Sequence, residues 1–188
     1  MAKTHVMIDL ETLSTATNAT VLTIGAVRFD PFGDESVDNE FDRLYIKVDL
    51  DSCESLGLDI SEDTIAWWGK QSAEAQEEAF GTEGRTPIAD AMQQLHKFCW
   101  GASRVWSNGS GFDIVICETI FSKLQRGYPW KYWGVRDVRT MFDLGIDPLM
   151  PKVTAHNAVE DAVAQAIGVQ NVCRVLLEQG VNPFKSYK

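Results

Sequence analysis

The spacing of apolar residues changes along the chain. "THVMIDL", "TVLTIGAVRFD" and "FDRLYIKVDL" carry the β-branched and aromatic residues of strands, separated by the turn-rich "STATNA" and "DPFGDESVDN". Three consecutive strands predict a meander. After them the pattern becomes helical. "SEDTIAWWGKQSAEAQEEAF" opens on Ser61 as an N-cap with acids in its first turn, and a break near Gly69 to Ser72 divides it in two. "TPIADAMQQLHKFCWG" predicts a helix capped by Thr86, with Pro87 at its first position and Gly101 beyond its end. "RVWSNG" reads as a short strand that runs through "GSGFD" into the helix "FDIVICETIFSKLQRG", with Gly127 to close it. "HNAVEDAVAQAIGVQNVCRVLLEQG" is a last long amphipathic helix ending at Gly180. Strands followed by alternating helix, strand and helices predict an α/β fold with a mixed sheet covered by helices.

Composition narrows the class. The chain has 188 residues, is 45% hydrophobic and shows no internal repeat, so one domain over 1–188 with one substantial core is expected. The formal charge of −10 argues against non-specific coating of nucleic acid or attachment to an anionic membrane. It leaves nucleic-acid enzymes open, because a cluster of carboxylates that holds cations is itself acidic. Cys53, Cys99, Cys117 and Cys173 form no C-x-x-C pair and read as reduced core thiols. The early acids and the lack of a long apolar run predict a soluble, cytoplasmic protein with no membrane partner.

The candidate chemistry begins in "HVMIDLETL", where Asp9 and Glu11 project from one face of a strand and Ile8 and Leu10 from the other. Two carboxylates about 7 Å apart on one face repel unless solvent, a base or a cation compensates. A solvated edge strand would also satisfy them. Asp113 follows three small residues in "NGSGFD", at the first turn of a helix whose dipole alone would favour an acid. In "TAHNAVEDA", His156 precedes the last helix and Asp161 lies within it; a five-residue step leaves His156 in the loop, leaning over the site. Together the four acids and the histidine have a joint explanation. Hard divalent cations take oxygen ligands, a pair of them clamps a phosphodiester, and a histidine accepts the proton of an attacking water.

The ordered set D-x-E, a central Asp after a strand, and H-x-x-x-x-D resembles the DEDDh 3′→5′ exonucleases over essentially the whole chain, through "MIDLETL", "NGSGFD" and "AHNAVEDA". That resemblance implies a ribonuclease H-like mixed sheet covered by helices on both faces. It makes Asp9, Glu11, Asp113 and Asp161 ligands of two divalent metal ions, Mg²⁺ or Mn²⁺, and His156 the general base. "TIAWWGKQSAEA" and "WGVRDVRTM" are similar to a smaller subgroup that contains the exodeoxyribonuclease A of T-even phages and the mycobacterial exoribonuclease RNase AS. The implied activity is removal of nucleoside 5′-monophosphates from single-stranded 3′ ends, with DNA preferred, RNA as the alternative, and a homodimer possible. A non-catalytic nucleic-acid-binding module is a further alternative, which the intact acid set disfavours.

Substrate contacts are expected from several residues. Trp67 and Trp68 point about 100° apart on a helix, so either one stacks on a base while the other enters the core, or both are core. Arg136 and Arg139 would lie on neighbouring positions if their segment is helical, and each suits either a phosphate or an internal pair with Asp137 or another acid. Phe112 could wedge or support the terminal base, and Asn108 could orient its loop or touch substrate. The family resemblance places Leu13, with the backbone near Thr12, beside the 3′ nucleotide.

Overall fold

A computed structural model describes residues 4–33, 42–153 and 156–184. Most of the turn signal "DPFGDESVDN", the first residue of "FDRLYIKVDL", and Thr154 and Ala155 of the third motif lie outside the described residues. Near-continuous apolar runs drive the first two strands: β1 (His5–Thr12) and β2 (Val21–Phe29) are buried almost throughout, while β3 (Arg43–Lys47) is half-buried. They pair as antiparallel neighbours, as a meander requires. β4 (Arg104–Ser107) then joins β1 in parallel, and β5 (Val135–Asp137) joins β4, also in parallel. The five-stranded sheet has the order β3-β2-β1-β4-β5.

Seven α-helices are found among the described residues. Helices α1 (Leu50–Ser55), α4 (Ile88–Cys99) and α5 (Asp113–Lys123) cover one face, packing Cys53, Met92, Leu95, Ile116 and Phe121 on Val6, Ile8 and Leu10. Helices α6 (Val138–Phe142) and α7 (Ala158–Glu178) cover the other face, where Val138, Ala162, Ala166 and Val169 meet Met7, Val27 and Trp106. Helices α2 (Glu62–Trp68) and α3 (Ala73–Phe80) form a smaller core with the end of β1, through Leu13, Leu22, Trp68 and Ala79. The break between them falls where expected, with Ser61 and Ser72 as the two N-caps. All four cysteines are buried and reduced. No helix among the described residues is long and apolar enough to cross a membrane.

Several local expectations need correction. Thr86 does not cap α4. Its amide donates to Lys47 O and its carbonyl accepts from Asp49 N, so it extends the pairing at the end of β3. Pro87 stands one residue before the helix, and the free Ile88 N–H is taken by Ser52 Oγ at 2.9 Å. "VDL", read as the end of a strand, instead turns into α1, because Asp49 accepts from Ser52 N. Helix α5 closes at Gln125, not Gly127: Gln125 takes φ 55° and the next amide, Arg126 N, reaches back to Phe121 O at 2.9 Å. "WGVRDVRT" is a single-turn 3-10 helix, a three-residue strand and a short helix, so Arg136 lies on β5 and Arg139 on α6.

One glycine sets the position of α7. Gly25 lies opposite Asp9 in the β1–β2 register, and a Cβ built there would stand 2.1 Å from the backbone carbon of Ala158. The first turn of α7 therefore rests directly on β2. Gly25→Ala must displace a helix backbone and not a side chain, so we expect a loss of about 3 kcal/mol in urea unfolding, at the upper end for overpacking. The same substitution at Gly127, which lies outside the left-handed region and meets nothing within 4 Å, provides the comparison without the clash.

Candidate active site

The acids gather where three elements meet. β1 presents Asp9 and Glu11 toward α7, and carboxylate oxygens of Asp9, Glu11 and Asp161 lie within 4.8 Å of one another. Asp113 reaches them from the start of α5. The β1–β4 pairing stops at Met7 and Trp106, which leaves the Leu10 N–H without a strand partner on that side, and Asp113 Oδ1 accepts it at 3.1 Å. The carboxylate thus caps an open ladder through a charge-assisted bond and is locked between the two strands. The loop before it is pinned from β5, where Asp137 accepts from Ser110 N at 2.6 Å and from Arg139 N at 2.9 Å.

His156 completes the cluster. It stands in the loop before α7 at φ 67°, a left-handed conformation costly for a residue with a side chain. Its Nδ1 lies 3.9 Å from Glu11 Oε1, and the ring meets the edges of Trp67 and Trp68 at centroid distances of 4.9 and 5.7 Å. Asn157, the N-cap of α7, accepts from Glu160 N and fixes where the helix begins.

The two tryptophans divide their duties. Trp68 is 2% exposed and donates its indole N–H to Thr12 O at 2.9 Å, which ties α2 to the end of β1. Trp67 is 43% exposed and lines two adjoining clefts. The first, about 490 Å³, is polar and is lined by the four acids, His156, Asn108, Phe112, Arg139 and Gln165. The second, about 430 Å³, shares Leu10, Glu11, Trp67 and Phe112 and continues past Thr12, Thr15, Ser61 and Thr64. Arg139 points its Nε at Asn108 Oδ1, 3.3 Å away. Two expected contacts are elsewhere. The Leu13 side chain packs into the core with Leu22 and Trp68 and lines neither cleft. Arg136 donates to the carbonyls of Trp133 and Val135 and faces a separate groove.

Gln165 is a site residue that the motif reading missed. It is buried on α7 and donates to Asp9 Oδ1 at 2.8 Å, while its own Oε1 has no partner. Its position four residues after Asp161 on the same helix face was the available signal. Glu118, by contrast, is occupied outside the site, accepting from Trp130 Nε1 at 2.8 Å.

Crowding raises the proton affinity of the acids. Burial, and then the charge of Asp113, push Asp9 well above the carboxylate range, against the opposing bond from Gln165. Burial, Asp161 and Asp113 push Glu11 up to about 8. Burial pushes Asp113 up to about 7, although the Leu10 N–H works the other way, and burial also raises Asp161. Such a cluster resists full ionisation near neutral pH unless positive charge enters it.

The architecture defines the class: a mixed five-stranded sheet between helical layers, with acids at the end of its central strand, is the ribonuclease H-like nuclease fold. The RNase domain of yeast Pop2 superposes with a TM-score of 0.61 at 10% identity, covering 96% of this chain and 81% of that one. The nuclease domain of 3′hExo, a DEDDh family member bound to rAMP, gives 0.53 at 14% identity over 98% and 96%. An E. coli ExoI–ssDNA complex gives 0.66 at 15% identity over 93% of this chain but 41% of that one, so the chain spans less than half of that protein. No curated protein matches the sequence. The family model of the 3′-5′ exoribonuclease Rv2179c-like domain matches residues 4–173. The chain belongs to that family and is a 3′→5′ exonuclease.

The raised proton affinities set a pH dependence. For Glu11 and Asp113 the folded state binds protons more tightly than the unfolded chain, so their contribution to stability is full below about pH 4 and lost as pH rises through about 7 to 8. Thermal melts in EDTA should show the midpoint falling between pH 5 and pH 8. Glu11→Gln should flatten that fall; an equally steep fall in the variant would show that the cluster is not its source.

Proposed function

We propose that this chain hydrolyses single-stranded nucleic acid from the 3′ end with two divalent cations, Mg²⁺ or Mn²⁺, releasing nucleoside 5′-monophosphates. RNA is the favoured substrate, in keeping with the exoribonuclease family whose model it matches. The observation that carries the proposal is the convergence of Asp9, Glu11 and Asp161 oxygens within 4.8 Å, beneath a histidine. All-oxygen donors suit hard cations, and their mutual repulsion supplies the reason for a cation to enter. Asp9, Glu11, Asp113 and Asp161 would hold the ions, which supply Lewis-acid stabilisation and an acidified water when bound.

The chain's own residues do the remaining work. His156, steadied by the indole edges of Trp67 and Trp68, accepts the proton of the attacking water. Gln165 holds Asp9 in one rotamer through its 2.8 Å bond. The exposed indole of Trp67 and the ring of Phe112 flank the terminal nucleoside, since both border the two clefts. Stacking of that kind accepts any base. Arg139 and Asn108, on the opposite wall of the polar cleft, receive the phosphate. Single-stranded DNA is a second reading, favoured by the likeness of "TIAWWGKQSAEA" and "WGVRDVRTM" to phage exodeoxyribonucleases.

The test is a time course on 5′-labelled RNA and DNA of matched sequence with Mg²⁺ or Mn²⁺. We expect a ladder shortening from the 3′ end, faster on RNA. Asp9→Ala and Asp161→Ala should fall to the level of the cation-free control, and His156→Ala should lose about 10²- to 10⁴-fold in kcat. Full cation-dependent hydrolysis by Asp9→Ala would sink the assignment.

A further inference from the structure

At the far end of the same sheet face lies a second charged feature, of the opposite sign. In β1, His5, Met7, Asp9 and Glu11 share one face. The parallel register pairs His5 with Arg104 and Met7 with Trp106, and Trp106 with Arg136, so both arginines belong to the face that carries the acids. They are close enough that the charge of Arg104 lowers the pKa of Arg136, after burial, and that both arginines add to burial in lowering His5 to about 3. Neither has a carboxylate partner among the described residues. Arg104 donates to Ser103 O and its buried Nε has no partner at all, while Arg136 donates only to backbone carbonyls. Adjacent guanidiniums with no carboxylate partner among the described residues are unexpected in a chain of net charge −10, and Asp137, beside Arg136, is taken by the Ser110 and Arg139 amides. Their repulsion is relieved by an anion that bridges them.

The surroundings favour a phosphate chain. A groove of about 270 Å³ is lined by Arg136 and by Ser110, Asp137 and Thr140, with Trp106 and Phe184 on its apolar side, so it leads from the loop beside Asp113 to Arg136, and Arg104 lies on the neighbouring strand. Arg139 borders the polar cleft at the other end of that path. At about 3.3 Å per residue and about 4.8 Å between strands, the pair lies on the order of 15 Å from Asp9, within reach of a few extended nucleotides. The preceding 3-10 turn adds the exposed rings of Tyr132 and Trp133, and Lys131 beside them is exposed too. Cation and aromatic side by side are what an unpaired strand binds without sequence preference.

We propose that Arg104 and Arg136, flanked by Lys131, Tyr132 and Trp133, form a distal binding surface for the sugar-phosphate backbone of the single strand upstream of the bond being cut. The proposal rests on the exonuclease reading above, and the surface makes hydrolysis depend on strand length. The strand leaves the acidic cleft past Arg139 and follows the β4–β5 edge of the sheet, so long substrates gain phosphate contacts that a dinucleotide cannot reach.

The experiment separates this proposal from the exonuclease assignment. Binding of a fluorescent 12-nucleotide RNA is measured by anisotropy in EDTA over a range of salt, with no turnover involved. For Arg104→Gln/Arg136→Gln we expect at least tenfold weaker binding and a log Kd against log salt slope reduced by about 1.4, the value for two single-strand phosphate contacts. With Mg²⁺, the kcat/KM ratio of 12-nucleotide to dinucleotide substrate should fall at least tenfold. Lys131→Glu, an exposed substitution that does not burden the fold, should move both readouts the same way. Unchanged affinity and salt slope in both variants would overturn the proposal, as would a change of oligomeric state with oligonucleotide binding intact. Absence of cation-dependent shortening of the 12-nucleotide substrate by the unaltered protein would instead count against the exonuclease assignment.

Discussion

The contact between Gly25 and the first turn of α7 is the constraint on which the rest of the site depends. A side chain at Gly25 would meet the Ala158 backbone at 2.1 Å, so only glycine lets the helix lie against β2 at the level of Asp9. From that resting place α7 delivers three groups to one strand. Asp161 joins Asp9 and Glu11, Gln165 bonds Asp9, and His156, just ahead of the helix, comes over Glu11. Gly168 plays a related part further along, where Phe142 and Met150 press against the helix from α6 and the segment after it. A displaced α7 would separate the acids held by β1 from the acid held by the helix, and a site built on such a cluster tolerates little misplacement.

The same packing creates an electrostatic cost. Four carboxyl groups are brought together with Asp113 almost fully buried, and each is pushed upward by loss of water before any neighbour acts. The fold offsets part of this with neutral donors, namely the Leu10 N–H for Asp113 and the Gln165 amide for Asp9. Among the described residues no lysine or arginine forms an ion pair with the cluster; Arg139, on the cleft wall, bonds Asn108 and acts on Asp113 only through its charge. A site arranged in this way is most stable when protonated or when cations occupy it, which couples stability to pH and to cation binding. Opposite charge is kept at the other end of the sheet face, where Arg104 and Arg136 stand without acids. The face carries opposite charge at its two ends with a buried apolar centre between them, and that polarity suits a strand that passes from one end to the other around the β4–β5 edge.

Much of this was legible beforehand, for identifiable reasons. The meander, the divided helix at Gly69 to Ser72 and the long last helix follow from period and capping, which are local properties. The opposed faces of β1 follow from alternation alone. The failures are equally physical. Thr86 resembles a cap by type, but the end of β3 claims its backbone, and Gln125 closes α5 because a reach-back bond to Phe121 stabilises a conformation usually left to glycine. The family resemblance put Leu13 beside the 3′ nucleotide, whereas its side chain packs in the core with Leu22 and Trp68.

By itself the sequence singled out the acids and the histidine that the fold gathers into one cleft, and the kind of element on which each would sit, because spacing along a strand or helix sets the direction of a side chain. It also determined that Trp67 and Trp68 diverge, but not which one faces solvent. Tertiary structure decided that question by giving the Trp68 indole a buried carbonyl at Thr12. It decided as well that Gln165 belongs to the site, that Arg136 does not line the acidic cleft, and that Arg104 is its neighbour across two strands. Those facts depend on register and on how closely a helix can approach a sheet. Residues up to 156 positions apart become hydrogen-bond partners only when non-local packing brings them together, and no local pattern encodes that distance.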